Sequence, residues 1–163
     1  MLIFDNQTSD ICFSNILKDM ATVNEVQDEI IEEFDGLSDW MDRYAYIIDL
    51  GNTLPDYPEN EKTPQNLIEG CQSRVWIDAK TGSDGTISFQ ADSDALIVKG
   101  IVALLMRVLN HRTPDEILDA DLYFIDKIGL KEHLSPTRSN GLVAMIRQIH
   151  DYARAFKIVG SQK

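Results

Sequence analysis

Cys71 stands in the run Glu69-Gly70-Cys71-Gln72-Ser73-Arg74-Val75-Trp76, and that setting narrows the chemistry open to its thiol. Gly70 frees the backbone just before the cysteine, and a strand-like run follows at once. The residue is therefore expected at the tip of a loop that opens into a strand. It has no CxxC partner and no neighbouring histidine. A lone sulfur presented in this way suits receiving and handing on a group better than metal binding or disulfide exchange. Free cysteine is usually a small buried hydrophobe. Against that reading, Gln72 and Ser73 are polar where a core strand would carry apolar side chains. To react, the thiol must ionise, which needs a nearby cation or a field of backbone N–H groups. Arg74 is close in sequence. Arg138, in a polar turn, is the better candidate if folding brings that turn to the loop.

Other reactive constellations are sparse. The histidines are His111, His133 and His150, none near Cys71 in sequence, and all three read as surface or structural residues. A Cys–His pair would point to a cysteine-nucleophile hydrolase or a thiol peroxidase, which is one rival reading. No GxGxxG, P-loop, HExxH or GxSxG pattern is present, so nucleotide and metalloprotease chemistry lack support. Cys12 and Cys71 are too few for a disulfide framework or a structural zinc site, and no metal is expected. Cys12 reads as passive.

Charge excludes further classes. The net charge is −12, and the first sixty residues hold fourteen acids against two bases, Lys18 and Arg43. The remainder holds thirteen of each. That asymmetry argues against nucleic acid or an anionic membrane as partner and reads best as a solubilising acidic face. No secretory signal is visible, and the run Ala95 to Leu109 is too short and too interrupted to span a membrane. A cytoplasmic protein, with its free thiols reduced, is the expectation.

The elements that must position Cys71 follow from periodicity and punctuation. Asn24 can cap a helix with Val26, Ile30, Ile31 and Phe34 on one face, ended by Gly36. Ser38 or Asp39 caps a second, with Trp40, Met41, Tyr44, Ile47, Ile48 and Leu50 as its core stripe, closing near Gly51. Pro55, Pro58 and Pro64 make Leu54 to Gln65 a loop. Arg74–Ala79 and Thr86–Ala91 read as strands joined by the Gly82-Ser83-Asp84-Gly85 turn, with Ile87 and Phe89 facing inward. Asp92-Ser93-Asp94 supplies the N-cap of an apolar, central helix from Ala95 to Leu109. Thr113-Pro114-Asp115-Glu116 is a capping box, Leu122 to Ile128 a further helix stopped by Gly129, and Ser135 to Gly141 a polar turn. A last helix carries Leu142, Met145, Ile146, Ile149, Tyr152 and Phe156. The expected fold is α+β: a small antiparallel sheet, a hairpin with room for a third strand, packed against several helices.

Four motifs carry a resemblance: YIIDLG (residues 46–51), TPQNLIEGCQSRVW (63–76), DSDALIVKGIVALL (92–105) and LSPTRSNGLVAMI (134–146). In this order they resemble the SufE family, sulfur acceptors for cysteine desulfurases, over about Ser38 to Phe156. The resemblance divides the chain into an extension at 1–37, partly helical, an acceptor domain at 38–157 and a tail at 158–163. It implies a fold like that of SufE and the IscU-type cluster scaffolds. It implies that Cys71 takes persulfide sulfur from a cysteine desulfurase, SufS-like or a paralogue, stimulates that enzyme, and delivers sulfur to an iron–sulfur scaffold complex. Arg138 would stabilise thiolate or persulfide, Asp94 would support the loop unless it caps the helix, and Gln72 would set the loop conformation. The pyridoxal phosphate belongs to the partner, so no cofactor is expected here. One loop thiol cannot hold a cluster, which makes the chain a carrier, monomer or homodimer, and not an enzyme in its own right. A desulfurase-binding regulator that carries no sulfur is the second rival.

Overall fold

The computed structural model describes residues 21–69 and 72–161; residues 1–20, with Cys12, the pair 70–71, with Cys71, and residues 162–163 lie outside them. Helix α1 (Val23–Asp35) starts earlier than its sequence suggests, because Thr22 and not Asn24 caps it, its hydroxyl accepting from the Glu25 N–H at 3.1 Å. The earlier start lets Val23 pack on the core beside the buried Val26, Ile30 and Phe34. Gln27 is fully buried and satisfied: its amide donates to the Asp121 carbonyl at 2.9 Å and accepts from the Phe124 N–H at 3.1 Å. Although the sequence reading assigns residues before 38 to an extension, α1 belongs to the same core as everything after it.

Helix α2 (Trp40–Gly51) is capped by Asp39, whose carboxylate accepts from the Met41 N–H at 2.8 Å. Its buried strip is narrower than its apolar stripe. Ile47 and Gly51 are buried, whereas Met41 is 73% exposed, correcting its assignment to the core. The cause is a close crossing of α2 over helix α3 (Leu96–Leu109), which meets it through Gly51 and Gly100. Helix α3 is buried over most of its surface, as its composition requires, and lies against α2 and the sheet. Arg107 on α3 makes a two-pronged ion pair with Glu33 on α1, both contacts 2.7 Å, and Tyr46 donates to the same carboxylate at 2.7 Å.

The sheet is an antiparallel hairpin of β1 (Val75–Thr81) and β2 (Ile87–Ser93), in register from Val75 opposite Ser93 to Thr81 opposite Ile87. Its turn works as its residues predict: Gly85 takes φ +83°, and Asp84 accepts from the Thr86 N–H at 3.1 Å. Ile87, Phe89, Ala91 and Ser93 all point inward. In place of a third strand, single bridges flank the hairpin, Leu67 to Trp76 on one edge and Ile87 to Arg112 on the other.

Helix α4 (Pro114–Asp119) carries the complete Thr113/Glu116 capping box, and the short helices α5 (Phe124–Lys127) and α6 (Leu130–His133) follow, with Gly129 at φ +74° between them. The largest departure comes next. Ser135 to Gly141 is not a turn: helix α7 (Pro136–Ser161) begins at the proline, and Ser135 accepts from the Arg138 N–H at 3.3 Å. Proline at the first helical position after a serine cap is a helix start, a signal masked here by the polar run that follows it. Helix α7 also continues through the proposed tail at 158. Among the described residues no helix is long and apolar enough to cross a membrane.

Candidate functional site

Backbone pairing builds the site from both sides of Cys71. On the entry side, Ile68 N–H donates to the Val75 carbonyl at 2.8 Å and Ile77 N–H to the Asn66 carbonyl at 2.9 Å. Residues 66–68 therefore run alongside β1, and the chain between Ile68 and Val75 must return on itself within six residues. That short loop, 69–74, contains Cys71, itself outside the described residues.

On the exit side, Arg74 is gripped at both backbone groups. Its N–H donates to Asp94 Oδ1 at 3.0 Å. Its carbonyl accepts from the Asp94 N–H at 3.2 Å and from the hydroxyl of Ser93 at 2.9 Å. The side chain of Asp94 is thus committed to the loop, and the cap position of α3 falls to Ala95, whose N–H is taken by Ser93 Oγ at 3.2 Å. Ser93, 8% exposed, is a site residue that sequence reasoning missed. Its signal is a polar residue at an inward position of β2, where alternation calls for an apolar one.

A cavity of about 120 Å³ opens beside the loop's exit. Gln72, Ser73, Thr137 and Arg138 contribute its polar wall, and Val98, Ile101 and Met145 its apolar one. The placement of Arg138 follows from the corrected start of α7. In the first turn of a 26-residue helix, its guanidinium is added to the positive end of the helix dipole. An anion is favoured beside such a field. Gln72 and Arg138, far apart in the sequence, share this cavity, and Asp94 holds the adjoining backbone.

The entry side has its own brace, also missed in the sequence. Lys62 forms ion pairs with Glu59 at 2.8 Å and Asp92 at 3.2 Å, and its ammonium lies 5.1 Å from the Trp76 ring centroid. Lys99 reaches the same Asp92 at 3.2 Å. Burial pushes the Asp92 carboxyl up, but the Ser93 N–H, Lys62 and Lys99 outweigh it and hold the group below the usual aspartate range. These partners come from three separate elements, so no local spacing announces them.

The histidines lie elsewhere. His111 meets Ser88 at the far edge of the sheet, at 3.3 Å, and His133 stacks on Trp40 at 3.6 Å between centroids. His150 sits on α7 with Nε2 sealed from solvent, its titration pushed down mainly by burial. None of the three lines the cavity beside Gln72 and Arg138. Among the described residues no group of three or more His, Cys, Asp and Glu is placed to hold a metal ion.

Comparison with known proteins agrees with this architecture. A solution structure of a hypothetical protein from Thermus thermophilus superposes with a TM-score of 0.67 at 21% identity, covering 82% of this chain and 96% of that one. At that identity the likeness is one of fold. The family model described as "SufE: Fe-S metabolism associated domain" matches residues 28–153, from within α1 to the buried Ala153 of α7. The chain belongs to the SufE family, whose domain is associated with iron–sulfur metabolism.

Proposed function

We propose that this protein is a sulfur carrier: Cys71 accepts sulfur from the persulfide of a pyridoxal-phosphate cysteine desulfurase and delivers it for iron–sulfur cluster assembly. The observation that carries the reading is the pair of arms flanking Cys71, joined at Ile68–Val75 and held at Arg74 beside an arginine-lined cavity. A thiol on such a loop has the reach to enter a partner's pocket, whereas a thiol inside a packed helix has none. The transfer is one displacement. The Cys71 thiolate attacks the outer sulfur of the partner's Cys–S–SH, a new S–S bond forms on Cys71, and the partner's own sulfur leaves as thiolate. The outer sulfur keeps its hydrogen and no external oxidant or reductant is needed. Removing the persulfide frees the desulfurase for another turnover, which is how the carrier would stimulate it.

Arg138 and the N-terminal field of α7 would stabilise the thiolate before attack and the persulfide after it. Asp94 and Ser93 would keep Arg74, and so the loop's exit, in place, and Gln72 would shape the loop where it meets the cavity. The apolar wall of Val98, Ile101 and Met145 would cover the resting sulfur against oxidation. The test is intact-protein mass after mixing the chain with an active cysteine desulfurase and cysteine. A gain of about 32 Da, one sulfur atom, that maps to Cys71 and vanishes in Cys71→Ser is the expected result. Stimulation that survives in Cys71→Ser, with no added mass in the parent chain, would mark a regulator and overturn the carrier reading.

A further inference from the structure

We propose that a proton held by Asp78 against Glu61 acts as a pH-sensitive latch, keeping the strap of residues 57–66 on β1 in acid and loosening the entry arm of the cysteine loop once Asp78 ionises. Asp78 lies in the middle of β1, and Glu61 ends the short 3₁₀ turn Glu59–Glu61. Asp78 Oδ1 and Glu61 Oε2 are both sealed from solvent, and no hydrogen-bond donor among the described residues reaches either oxygen. The Asn66 carbonyl takes the Ile77 N–H and the Asn66 amide holds the Glu61 carbonyl, which sets Glu61 beside β1 at Asp78, and two sealed oxygens without a donor fit carboxyls that face each other. Two carboxylates facing each other through oxygens that water does not reach repel, whereas one proton between them makes a short, charge-assisted O–H···O bond.

The surroundings offer little to offset a second negative charge. Tyr57, 7% exposed, faces the pair from the strap, with its hydroxyl 3.4 Å from the Glu61 carbonyl. Tyr152 faces it from α7 and donates to the Ile77 carbonyl at 3.2 Å. Both phenols are held neutral to higher pH, first by burial and then by the nearby acid. Gln90 stands opposite Asp78 on β2 and carries no charge. Lys80, exposed and two residues along β1, is the cation that acts on Asp78. Burial, followed by the hydrogen bond and charge of Glu61, keeps Asp78 protonated above the ordinary aspartate range, consistent with the held proton.

The latch sits one residue from the loop's entry arm. Ile77, next to Asp78, donates to the Asn66 carbonyl, and the Asn66 amide in turn holds the Glu61 carbonyl at 2.8 Å. Closed, the pair keeps a proton that the opened strap releases. Opening is therefore favoured as pH rises from the ordinary aspartate value to the raised one, by up to about tenfold per pH unit, and levels off above it.

The test is amide hydrogen exchange of Ile77 and Ile68 in the full chain, from about pH 4 to about pH 8, read as the protection of Asp78→Asn over that of the parent at the same pH. Comparison at equal pH cancels the intrinsic pH dependence of exchange. Asparagine keeps a donor for Glu61 and cannot ionise, so the ratio should climb with pH by up to about tenfold per unit and then level off. Glu61→Gln should behave alike, which keeps the test open if one variant folds poorly. A ratio that stays flat or falls with pH overturns the latch. So does protection of the parent by calcium at high pH, which would make the pair a cation site. Because the readout is backbone protection, it stands or falls independently of whether Cys71 carries sulfur.

Discussion

Gly100→Ala sets two physical effects against each other, and the structure says which wins. In an isolated helix, replacing a mid-helix glycine by alanine stabilises by about 1 kcal/mol. Here a Cβ at position 100 would run into the backbone carbonyl of Ile47, 2.6 Å from its carbon and 2.5 Å from the side-chain Cγ2. Ordinary carbon–carbon contact is about 3.5–4.0 Å, so α2 and α3 must separate by roughly 1 Å. The obstruction is backbone inside the core, not the end of a flexible side chain, which puts overpacking at the upper end of its usual range, about 3 kcal/mol. The net loss is about 2 kcal/mol, and at about 2–4 °C per kcal/mol for a domain of this size the melting temperature should fall by roughly 4–8 °C. Thermal unfolding followed by circular dichroism reads this directly. Gly160→Ala is the control, since nothing lies within 4 Å of its Cβ position, and it should leave the melting temperature level or slightly raised. If Gly100→Ala melts with the control or above it, the argument that these glycines exist for helix approach is wrong.

Two further outcomes follow from the arms of the loop. Asp94→Ala removes the acceptor of the Arg74 N–H at an exposed position, worth about 1 kcal/mol, so alkylation of Cys71 should quicken about fivefold while the melting temperature falls by only about 2–4 °C; an unchanged rate would mean that the clamp does not govern access. Asp92 is held below the usual aspartate range, so its stabilising contribution is present above the unfolded value near 4 and is lost as pH falls through the folded one. The melting temperature of Asp92→Asn should therefore trail the parent near neutrality by the equivalent of about 1 kcal/mol from its two ammonium contacts, and the gap should close in acid.

What the sequence disclosed and what it hid divide along one line, between local and long-range causes. The hairpin was legible because Gly82-Ser83-Asp84-Gly85 forces a turn and Ile87 and Phe89 alternate around it. The capping box at Thr113 and the buried α3 were legible for the same reason, since each is dictated by neighbours in the chain. The start of α7 is local too, but the polar residues after Ser135-Pro136 obscure it, and Arg138 consequently looks like a turn residue. Met41 looks like core because periodicity cannot know that α2 approaches its neighbour through glycine and covers only a narrow strip. Ser93, Lys62 and the Asp78–Glu61 pair are invisible as a set, each being defined by partners on other elements.

The same line separates the parts of the candidate site by how they would respond to a partner. The exit arm is fixed by Ser93, the last residue of β2, and by Asp94, which follows it directly, so moving Arg74 means disturbing the end of the sheet. The entry arm is fixed to that sheet by a single bridge and by a strap whose hold is largely charge: Lys62 to Asp92 and the carboxyl pair beside Ile77. The Lys62–Asp92 contact weakens with salt and the approach of other charges, and the carboxyl pair with loss of its proton, while a packed hairpin yields to neither. On the carrier reading, docking should therefore displace the entry arm first and swing the loop about Arg74. Only the few residues between the arms would then change their backbone freedom, at roughly 1–2 kcal/mol each, instead of the whole edge of the sheet. Hydrogen exchange in the presence of an active desulfurase separates the two arms: loss of protection at Ile68 with Arg74 unchanged fits this hinge, and equal loss at both refutes it.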